Sequence, residues 1–418
     1  MAIESDSEKV GIVGLGSVGL PLAILFARAG VPLVLLEKDS RRRNSIERRV
    51  SPLAHLGDEQ VRELGDAVVC GEASALAACT AVVICVPTPL DDQRRPDLRV
   101  VEAAAREVAE HVPLGSLVVL ESTTWPGTTR EVLGGIFEGK GVELAYSPER
   151  VDPGRDVGGR LGGDVPKLVG GLTALGTERA TGLYARAFET VVPVSSTEVA
   201  EAAKLVENVH RAVNIALVGE LKVAFDAMGI DIWEVLDAAS TKPFGFTRFD
   251  PGPGMGGHCL PIDPFYLAWA AKRAGAGARF VELSGEINRA MPSFVASKVR
   301  LALGSRGIEV GGARVLLIGV AYKAGVDIVE ESPAFPLASE LRQDGARITY
   351  HDPLVPLCEL GESRPFDMEQ LDEADVAVVL VAQPGVDLSL LEGAGLLVVD
   401  TRAALRGALG GDPRYFPA

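Results

Sequence analysis

A single cysteine, Cys259, lies in a glycine-rich stretch, PGPGMGGHCLPIDPFYL, that covers residues 251–267. His258 precedes it and Asp263 follows four positions later. Glycine adds no side chain to a core, so the stretch is predicted to be a tight loop, in which backbone N–H groups favour a thiolate and stabilise an oxyanion. A core cysteine is expected inside a strand, as Cys85 is in AVVICVP. Cys259 is therefore predicted to be a nucleophile, and the lack of a neighbouring cysteine argues against a metal ligand.

A second glycine pattern, GIVGLGSVGLPLA, follows the first predicted strand and opens a helix. It fits the dinucleotide-binding sequence G-x-G-x-x-G, and Glu37 ends the next strand, where an acid accepts hydrogen bonds from ribose hydroxyls. The acid favours NAD over NADP, although the basic run at 41–43 weakens that preference. A purely structural glycine turn is the alternative. The predicted cofactor contacts are Gly14, Gly16, Ser17, Val18, Gly19, Glu37, Arg42, Pro87, Thr88 and Thr123.

Three polar loops, ICVPTPLDD, LESTTWPGTT and YSPERVDPG, follow other predicted strands. Ligands of a parallel α/β sheet bind at the carboxyl ends of its strands, so these loops are expected beside a ligand. Thr123 is a candidate to hold a water molecule or the cofactor, and Glu149 is a candidate general base. Taken singly, Ser/Thr turns explain the first two loops equally well, and a surface ion pair explains Glu149 and Arg150 better.

The segment EVAEAAKLVENVHRAVN is predicted to lie within a long helix without proline. Lys204 and Asn208 are four positions apart and therefore share one face of that helix. Their apolar neighbours indicate that this face is partly buried, which suits a lysine and an amide that stabilise an oxyanion. A surface lysine that extends into solvent is the alternative, and it is favoured when the segment is considered alone.

A nicotinamide cofactor and a nucleophilic thiol together indicate one reaction class. Hydride transfer from an alcohol gives an aldehyde, and a thiolate that adds to the aldehyde gives a thiohemiacetal. Loss of a second hydride gives a thioester, which water hydrolyses to an acid. The sequence therefore predicts a dehydrogenase that oxidises an alcohol by four electrons.

Alternating strands and helices must position these residues. In the first half of the chain, short apolar or β-branched runs alternate with helical stretches such as 100–111 and 128–137. Continuous apolar strands separated by helices are typical of a doubly wound parallel sheet. The predicted strands are Val10–Val13, Leu33–Glu37, Val68–Cys70, Ala81–Val86, Leu117–Glu121 and Val142–Tyr146.

The pattern becomes helical in the middle of the chain. One helix is predicted from Ser195 to about Met228, with Ser195 and Glu198 at the spacing of a capping box. Another is predicted from 280 to 303, interrupted at Pro292. These helices either join two domains or form a dimer interface.

Strands return near residue 314, with a helix predicted at 334–343. The predicted fold is α/β, with two Rossmann-like doubly wound domains joined by a long central helix and a helical dimerisation region. The predicted boundaries are 1–195 for the NAD-binding domain, 196–304 for the helical region with the cysteine loop, and 305–418 for the second Rossmann-like domain.

The composition excludes several classes of protein. The formal net charge is −16, from 41 basic and 57 acidic side chains, which argues against nucleic acid or an anionic membrane as a partner. An anionic small molecule stays compatible, because helix N-termini and a few local cations bind phosphate. Five scattered cysteines favour a reduced, cytoplasmic protein. The polar N-terminus and the lack of an apolar run of ~20 residues argue against a secretory signal and a membrane span.

With these residues in view, the chain resembles the nucleotide-sugar 6-dehydrogenase family, which includes UDP-glucose and UDP-N-acetylhexosamine dehydrogenases. The quoted motifs, together with GVAYK and VVDTR, occur in the family's order over nearly the whole chain. The resemblance implies an N-terminal domain for NAD, a C-terminal domain for the UDP moiety and a homodimer formed through the central helix. GGHC, PIDP and ESTTWPGTT are closer to the branch that oxidises UDP-N-acetylglucosamine or UDP-N-acetylmannosamine.

The resemblance also implies roles for single residues. It makes Cys259 the catalytic thiol and Lys204 and Asn208 the supports of oxyanion and substrate. It implies that Glu149, Thr123 and Asp263 order and activate water. The substrate contacts that it implies are Glu149, Arg150, Lys204, Asn208, Asp250, Gly252, Gly254, Gly256, His258, Tyr322, Lys323 and Arg402.

Four positions depart from the family's pattern. Asp250 replaces an aromatic residue, the adjacent Ala324 and Gly325 stand where a lysine and an acid are usual, and Glu330 stands where an arginine near the cofactor is expected. These departures bear on cofactor affinity and on the choice of substrate. UDP-glucose is the alternative substrate. A two-electron hydroxyacid dehydrogenase, which has no use for Cys259, and a nucleotide-sugar binder without turnover are the alternative functions.

Overall fold

The computed structural model of the chain describes residues 9–53, 55–91, 93–151, 161–257 and 260–418. The predicted nucleophile Cys259 and its neighbour His258 lie outside the described residues. The chain divides into two compact units. Unit 1 comprises Met1–Glu207 and Phe265–Gly277, and unit 2 comprises Asn208–Pro264 and Ala278–Ala418.

The described residues of unit 1 form one eight-stranded sheet. Its strands are β1 (Val10–Val13), β2 (Leu33–Leu36), β3 (Val68–Cys70), β4 (Ala81–Ile84), β5 (Leu117–Leu120), β6 (Glu143–Tyr146), β7 (Lys167–Gly171) and β8 (Val191–Pro193). The order across the sheet is β3-β2-β1-β4-β5-β6-β7-β8, and among these strands only β6 and β7 pair antiparallel. Every residue of β1, β2, β4 and β5 is buried, as expected of strands that are covered on both faces.

The described residues of unit 2 form a second, five-stranded parallel sheet. Its strands are β9 (Arg314–Ile318), β10 (Arg347–His351), β13 (Val376–Val379), β14 (Leu397–Asp400) and β15 (Tyr415–Pro417), and a small hairpin is formed by β11 (Leu357–Cys358) and β12 (Gly361–Glu362). The order across the sheet is β10-β9-β13-β14-β15. Two parallel sheets in one chain confirm the predicted α/β fold with two Rossmann-like domains.

Helices connect the strands and form the middle of the chain. The first seven are α1 (Gly19–Arg28), α2 (Ser40–Glu47), α3 (Asp58–Arg62), α4 (Arg99–His111), α5 (Gly134–Ile136), α6 (Ala174–Tyr184) and α7 (Thr197–Met228). The others are α8 (Ile232–Ser240), α9 (Asp263–Arg273), α10 (Arg279–Ser305), α11 (Ala334–Gln343), α12 (Met368–Glu373), α13 (Leu390–Gly393) and α14 (Arg406–Leu409). Within the described residues, no helix is both long and apolar enough to cross a membrane.

The start of α7 differs from the predicted capping box. The helix begins at Thr197, and the hydroxyl of Ser196, not Ser195, accepts a hydrogen bond from the backbone N–H of Val199 at 3.3 Å. Glu198 instead forms an ion pair with Arg130 at 2.6 Å. The capping serine is thus one position later than predicted, and the third helical position is Val199, which cannot complete a capping box.

One other predicted feature of local structure is wrong, and a second is helical as predicted but with a different hydrogen-bond pattern. Pro292 does not interrupt a helix, because α10 continues through it from Arg279 to Ser305. A buried proline costs helix stability, but Asn288 is buried one turn earlier and its side-chain amide donates to the carbonyl of Ala212 on α7 at 3.1 Å, so packing outweighs the local cost. The predicted helix at 128–137 is a π-helical turn, Thr129–Leu133, followed by the short helix α5.

Candidate active site

The turn between β1 and α1 has the geometry that a dinucleotide requires. Gly14 has a φ of +90°, and a Cβ there would lie 2.6 Å from the carbonyl oxygen of Cys85. A Cβ on Gly19 would collide with the carbonyl oxygen of Gly14, whereas a Cβ on Gly16 would meet nothing within 4 Å. The first and third glycines therefore serve the tight turn and the helix packing, and the second leaves open space beside the half-buried Ser17 and Val18. That open space fits the approach of a pyrophosphate.

Glu37 is held at the end of β2 by the glycine turn itself. It is buried, its carboxylate accepts the backbone N–H of Leu15 at 3.0 Å and that of Asp39 at 2.9 Å, and Arg42 lies 3.4 Å away. The predicted ribose acceptor and the predicted phosphate turn are therefore joined by a direct hydrogen bond. Arg42 also lies next to Glu37, as the cofactor prediction requires.

The loops after β4 and β5 lie side by side. The hydroxyl of Ser122 accepts the backbone N–H of Val86 at 3.0 Å, which ties the two loops together directly before Pro87, Thr88 and Thr123. Thr123 itself is half-buried. The hydroxyl of Tyr266 donates to the carbonyl oxygen of Thr88 at 3.1 Å. These loops lie where ligands of an α/β sheet bind.

Glu149 follows β6 and is fixed by its own loop. One carboxylate oxygen accepts the backbone N–H groups of Arg150 and Val151 at 2.8 and 2.6 Å. The guanidinium of Arg150 is directed elsewhere, because it forms an ion pair with Glu207 at 2.6 Å. The alternative, a surface ion pair, therefore holds for Arg150, whose pair with Glu207 is partly exposed. Glu149 contacts the buried Lys167 instead, at 3.5 Å.

Sequence reasoning missed a buried carboxylate on α7. Glu201 accepts the backbone N–H of Gly127 at 2.6 Å and both the N–H and the hydroxyl of Thr129, at 2.8 and 2.7 Å. Burial raises the pKa of Glu201 to about 7, although these hydrogen bonds oppose the change. The sequence did carry a signal for it, because Glu201 precedes Lys204 by three positions and Asn208 by seven, which places all three on one face of the helix. Lys204 and Asn208 are both buried, as expected.

Asn208 and Asp263 form a buried pair in unit 2. The side-chain amide of Asn208 donates to the carboxylate of Asp263, and only 4% and 1% of the two residues are exposed. Asp263 is also the first residue of α9. Two of the residues that the family resemblance implies are thus in direct contact, although they are far apart in the sequence.

The glycine loop at 250–257 packs tightly against other parts of unit 2. A Cβ on Gly252 would lie 2.7 Å from the guanidinium of Arg402, and a Cβ on Gly256 would lie 2.6 Å from the Cβ of Tyr322. Gly254, with a φ of +135°, passes within van der Waals distance of α10. A side chain at position 252 or 256 would therefore displace Arg402 or Tyr322, two residues with implied roles in substrate binding.

A cavity of about 1000 Å³ opens in unit 2 beside this loop. Asp250 and Arg402 line it, together with Trp233, Arg248 and Arg406. Arg248 pairs with Asp250 at 2.8 Å, and the Nε of Arg402 donates to the carbonyl oxygen of Leu380 at 2.9 Å. The lining carries three arginines and four aspartates, and Arg248 and Arg406 are also paired with Asp237 and Asp231, so most of the positive charge in this cavity is neutralised.

The segment after β9 brings Tyr322 and Lys323 to the same loop. The ammonium of Lys323 lies 5.5 Å from the ring centre of Tyr322, a cation–π distance. The backbone N–H of Gly257 donates to the carbonyl oxygen of Glu330 at 2.9 Å, while Glu330 and Ala324 are exposed. Ala324 and Glu330, which depart from the family's pattern, therefore have side chains at the surface. The backbone contact between the glycine loop and the segment after β9 does not depend on either side chain.

The chain matches three consecutive domains of the UDP-glucose/GDP-mannose dehydrogenase family: the NAD-binding domain over residues 8–188, the central domain over 198–290 and the UDP-binding domain over 316–407. It is 32% identical to the UDP-N-acetyl-D-glucosamine 6-dehydrogenase of Pseudomonas aeruginosa over 355 residues, 83% of each chain.

Solved structures agree with this assignment. The UDP-D-ManNAc dehydrogenase of Pyrococcus horikoshii is 30% identical, with a TM-score of 0.84 over 94% of this chain and 95% of that one. The UDP-glucose dehydrogenase of Pyrobaculum islandicum is 25% identical, with a TM-score of 0.85 over 96% of both chains. The resemblance predicted from the motifs is confirmed, and the chain belongs to the UDP-glucose/GDP-mannose dehydrogenase family.

Proposed function

We propose that this protein oxidises the C6 hydroxyl of a UDP-N-acetylhexosamine, UDP-N-acetylglucosamine or UDP-N-acetylmannosamine, to the carboxylate of a UDP-uronic acid with NAD as the oxidant. The observation that carries the proposal is the packing of the glycine loop at 250–257. This loop leads directly into Cys259 and contacts both Tyr322 and Arg402. The glycine loop that precedes the proposed nucleophile and the side chains expected to hold the UDP moiety therefore belong to one compact unit.

The reaction runs in three stages. When bound at the glycine turn of unit 1, NAD supplies the acceptor for one hydride in each of two successive oxidations. After the first oxidation, the thiolate of Cys259 adds to the aldehyde carbon, and the carbonyl oxygen takes a proton to complete the thiohemiacetal. After the second oxidation, a thioester links Cys259 to C6. Water then adds to the thioester carbonyl, the thiolate leaves, and the carboxylate product is released.

The buried polar side chains fit the charges that develop in these stages. Lys204 and Asn208 stabilise negative charge on the oxygen at C6, because a cation and an amide donor act strongly where water is excluded. Asn208 is held in place by Asp263. Glu149 removes a proton from the attacking water, and Thr123 orders that water.

The UDP moiety is assigned to residues of unit 2. Lys323 and Arg402 carry the positive charge that a diphosphate requires, and Tyr322 offers an aromatic face. Gly252, Gly254 and Gly256 allow the loop to approach the ligand closely. His258 and Asp250 of the same loop, and also Arg150, are proposed as further contacts of the sugar nucleotide.

The identity of the sugar is tested with a panel of UDP-sugars. The purified enzyme is incubated with NAD and each of UDP-N-acetylglucosamine, UDP-N-acetylmannosamine and UDP-glucose, and NADH is measured together with the product acid. We expect two NADH per molecule of uronic acid with an N-acetylated substrate. One NADH per sugar with release of free aldehyde or ketone would instead support a two-electron dehydrogenase, and faster turnover of UDP-glucose would support that alternative substrate.

The assembly and the compartment are part of the same proposal. The enzyme is proposed to be a homodimer through the central helix, in support of which Val206 and Leu217 on α7 are 59% and 50% exposed. A reducing, cytoplasmic setting is supported by the four cysteines in the described part of the chain, which are all free thiols.

A further inference from the structure

A buried lysine links the candidate general base to a second, deeper carboxylate in unit 1. Lys167 begins β7, and its ammonium lies 3.0 Å from the carboxylate of Glu121, which follows β5, and 3.5 Å from that of Glu149, which follows β6. Lys167 and Glu121 are each only 2% exposed. None of the roles assigned above uses either residue.

The surroundings of Lys167 keep its positive charge in place. Burial works against the charge, but the attraction of Glu121 and Glu149 outweighs it and raises the pKa of Lys167. The rings of Tyr184 and Phe188 each lie 5.2 Å from the ammonium and offer it their negative faces. The two carboxylates and the two aromatic rings therefore compensate the cost of burying the positive charge of Lys167.

Glu121 in turn fixes the lysine. One oxygen of its carboxylate faces Lys167 and also accepts the hydroxyl of Tyr184. Its other oxygen is buried and has no hydrogen-bond partner among the described residues. Such an arrangement is stable only while Lys167 compensates the negative charge, so the two residues act as one unit.

Glu149 is the half-buried end of this chain of charges. Its first oxygen is bound by the backbone N–H groups of Arg150 and Val151, and its second oxygen faces Lys167. The guanidinium of Arg150 is paired with Glu207, and the other ionisable groups of the cluster are Glu121, Cys85 and Tyr184. Among the cations described around Glu149, Lys167 is thus the one whose charge is directed at its carboxylate.

We infer that Lys167 and Glu121 are positioning residues for the hydrolytic step, in which Lys167 orients the Glu149 carboxylate that accepts a proton from water. The inference rests on the proposed function, because it is the thioester that requires an ionised base. In the step itself, Glu149 takes one proton from water, the water oxygen bonds to the thioester carbon, and the sulfur of Cys259 leaves as a thiolate. Lys167 gains and loses nothing.

The test compares Lys167→Met with Lys167→Arg and Glu121→Gln in the full-length enzyme. The readout is the pH dependence of kcat for NADH formation, together with an infrared titration in which the Glu149 carboxylate band is assigned by its loss in Glu149→Gln. Removal of the cation makes the Glu149 carboxyl easier to protonate, so Lys167→Met should move the acid limb and the infrared titration upward by about one to three pH units. Lys167→Arg should restore both, and Glu121→Gln should move both downward.

A purely structural lysine would give a different pattern. Lys222→Met is the matched control, because Lys222 is also buried and paired with an aspartate, Asp226, but lies in unit 2. This variant should lose stability without any shift of either titration. An infrared titration that is the same in wild type and Lys167→Met overturns the inference. Failure of the proposed function would be recognised separately, because the wild type would then produce no NADH from any UDP-sugar. The infrared comparison does not need turnover and would still show whether Lys167 acts on Glu149.

Discussion

The thiols of this protein occupy contrasting environments. Cys85 is buried directly after β4, and burial, reinforced by Glu121, raises the pKa of its thiol well above the ordinary value. A thiol of that kind is not a nucleophile at neutral pH. Cys259, by contrast, follows four glycines within eight residues, a sequence context that predicts backbone N–H groups beside the thiol. The reaction proposed here depends on this difference between two side chains of the same type.

Replacement of Cys259 by serine should stop the reaction at the nucleophilic step. A hydroxyl is a far weaker nucleophile at neutral pH and a worse leaving group than a thiolate, so turnover to the uronic acid should fall by roughly 10³-fold or more. Binding of NAD and UDP-sugar should persist, because the glycine turn and Lys323 are unchanged. Product acid is measured by mass spectrometry, together with any sugar adduct on residue 259.

Cys358→Ser is the control for that variant. Cys358 is half-buried in the hairpin of unit 2, away from the glycine loop in sequence, and should tolerate serine with full turnover. Near-normal production of uronic acid by Cys259→Ser would contradict a covalent mechanism and favour the hydroxyacid dehydrogenase alternative.

The sequence reveals single residues when their role depends on backbone geometry. Gly14 and Gly16 were predictable because a tight turn and an open approach to phosphate need glycine, whatever the rest of the fold does. Lys167 and Glu121 were not predictable, because each lies in an ordinary strand context and only the sheet order brings them together. The roles of Cys259 and the other proposed catalytic residues stay predictions.

At the level of elements, Glu201 joins the long helix α7 to the loop that follows β5. Its two oxygens accept the backbone N–H groups of Gly127 and Thr129, the donors that open a π-helical turn. The same loop carries Thr123, and the same helix carries Lys204 one turn later. Because the pKa of Glu201 is raised to about 7, we expect its ionisation near neutral pH to act on the contact between the loop that carries Thr123 and the helix that carries Lys204.

Replacement of Glu201 by glutamine should make the stability of the protein less dependent on pH. Because burial raises the pKa from its ordinary 4.5 to about 7 in the folded state, the stability that the neutral carboxyl contributes is present below pH 4.5 and lost as the pH rises through 7. Relative to Glu201→Gln, the wild type should lose about 3 kcal/mol between pH 5 and 8. Thermal midpoints of both proteins across this range measure the difference.

Glu198→Gln is the matched control, because Glu198 lies one turn earlier on α7. Its ion pair with Arg130 lowers the pKa of Glu198 to about 2, so its contribution is present above pH 4.5 and lost only as the pH falls toward 2. This variant should change nothing between pH 5 and 8. A constant difference between wild type and Glu201→Gln over that range would show that Glu201 does not titrate there.

Elements were predictable where burial alone defines them. The central strands β1, β2, β4 and β5 are continuous apolar runs, and the structure confirms them within two residues. The strands β7, KLVGG, and β8, VVP, at one end of the sheet were missed because glycine and proline weaken the strand signal and only tertiary pairing defines them. The proline in α10 was misjudged for the same reason, since packing against neighbours is invisible in a local pattern.

On the scale of the whole molecule, three consecutive family domains correspond to two parallel sheets and an intervening helical region. The alternation of apolar strands and helices predicts both sheets, because burial on two faces requires it. The central helices carry another signal, a set of large apolar side chains that stay exposed in the single chain. In unit 2 these are Leu217, Val223, Met228, Ile230, Phe280, Leu283 and Leu301.

Exposed apolar side chains at this density on helices are typical of a surface that a second chain covers. We therefore expect the wild type to sediment at twice the mass of one chain, with Leu217 in the dimer interface. Leu217→Glu should dissociate the dimer, because an unpaired buried charge costs roughly 3–5 kcal/mol and two-fold symmetry introduces it twice.

Leu114→Glu is the control, because Leu114 is 83% exposed in a loop of unit 1 and its replacement should leave the dimer intact. Sedimentation velocity over a range of protein concentrations distinguishes the two states. A wild type that sediments as a single chain, or a Leu217→Glu variant that stays dimeric, would place the dimer interface elsewhere or remove it from the proposal.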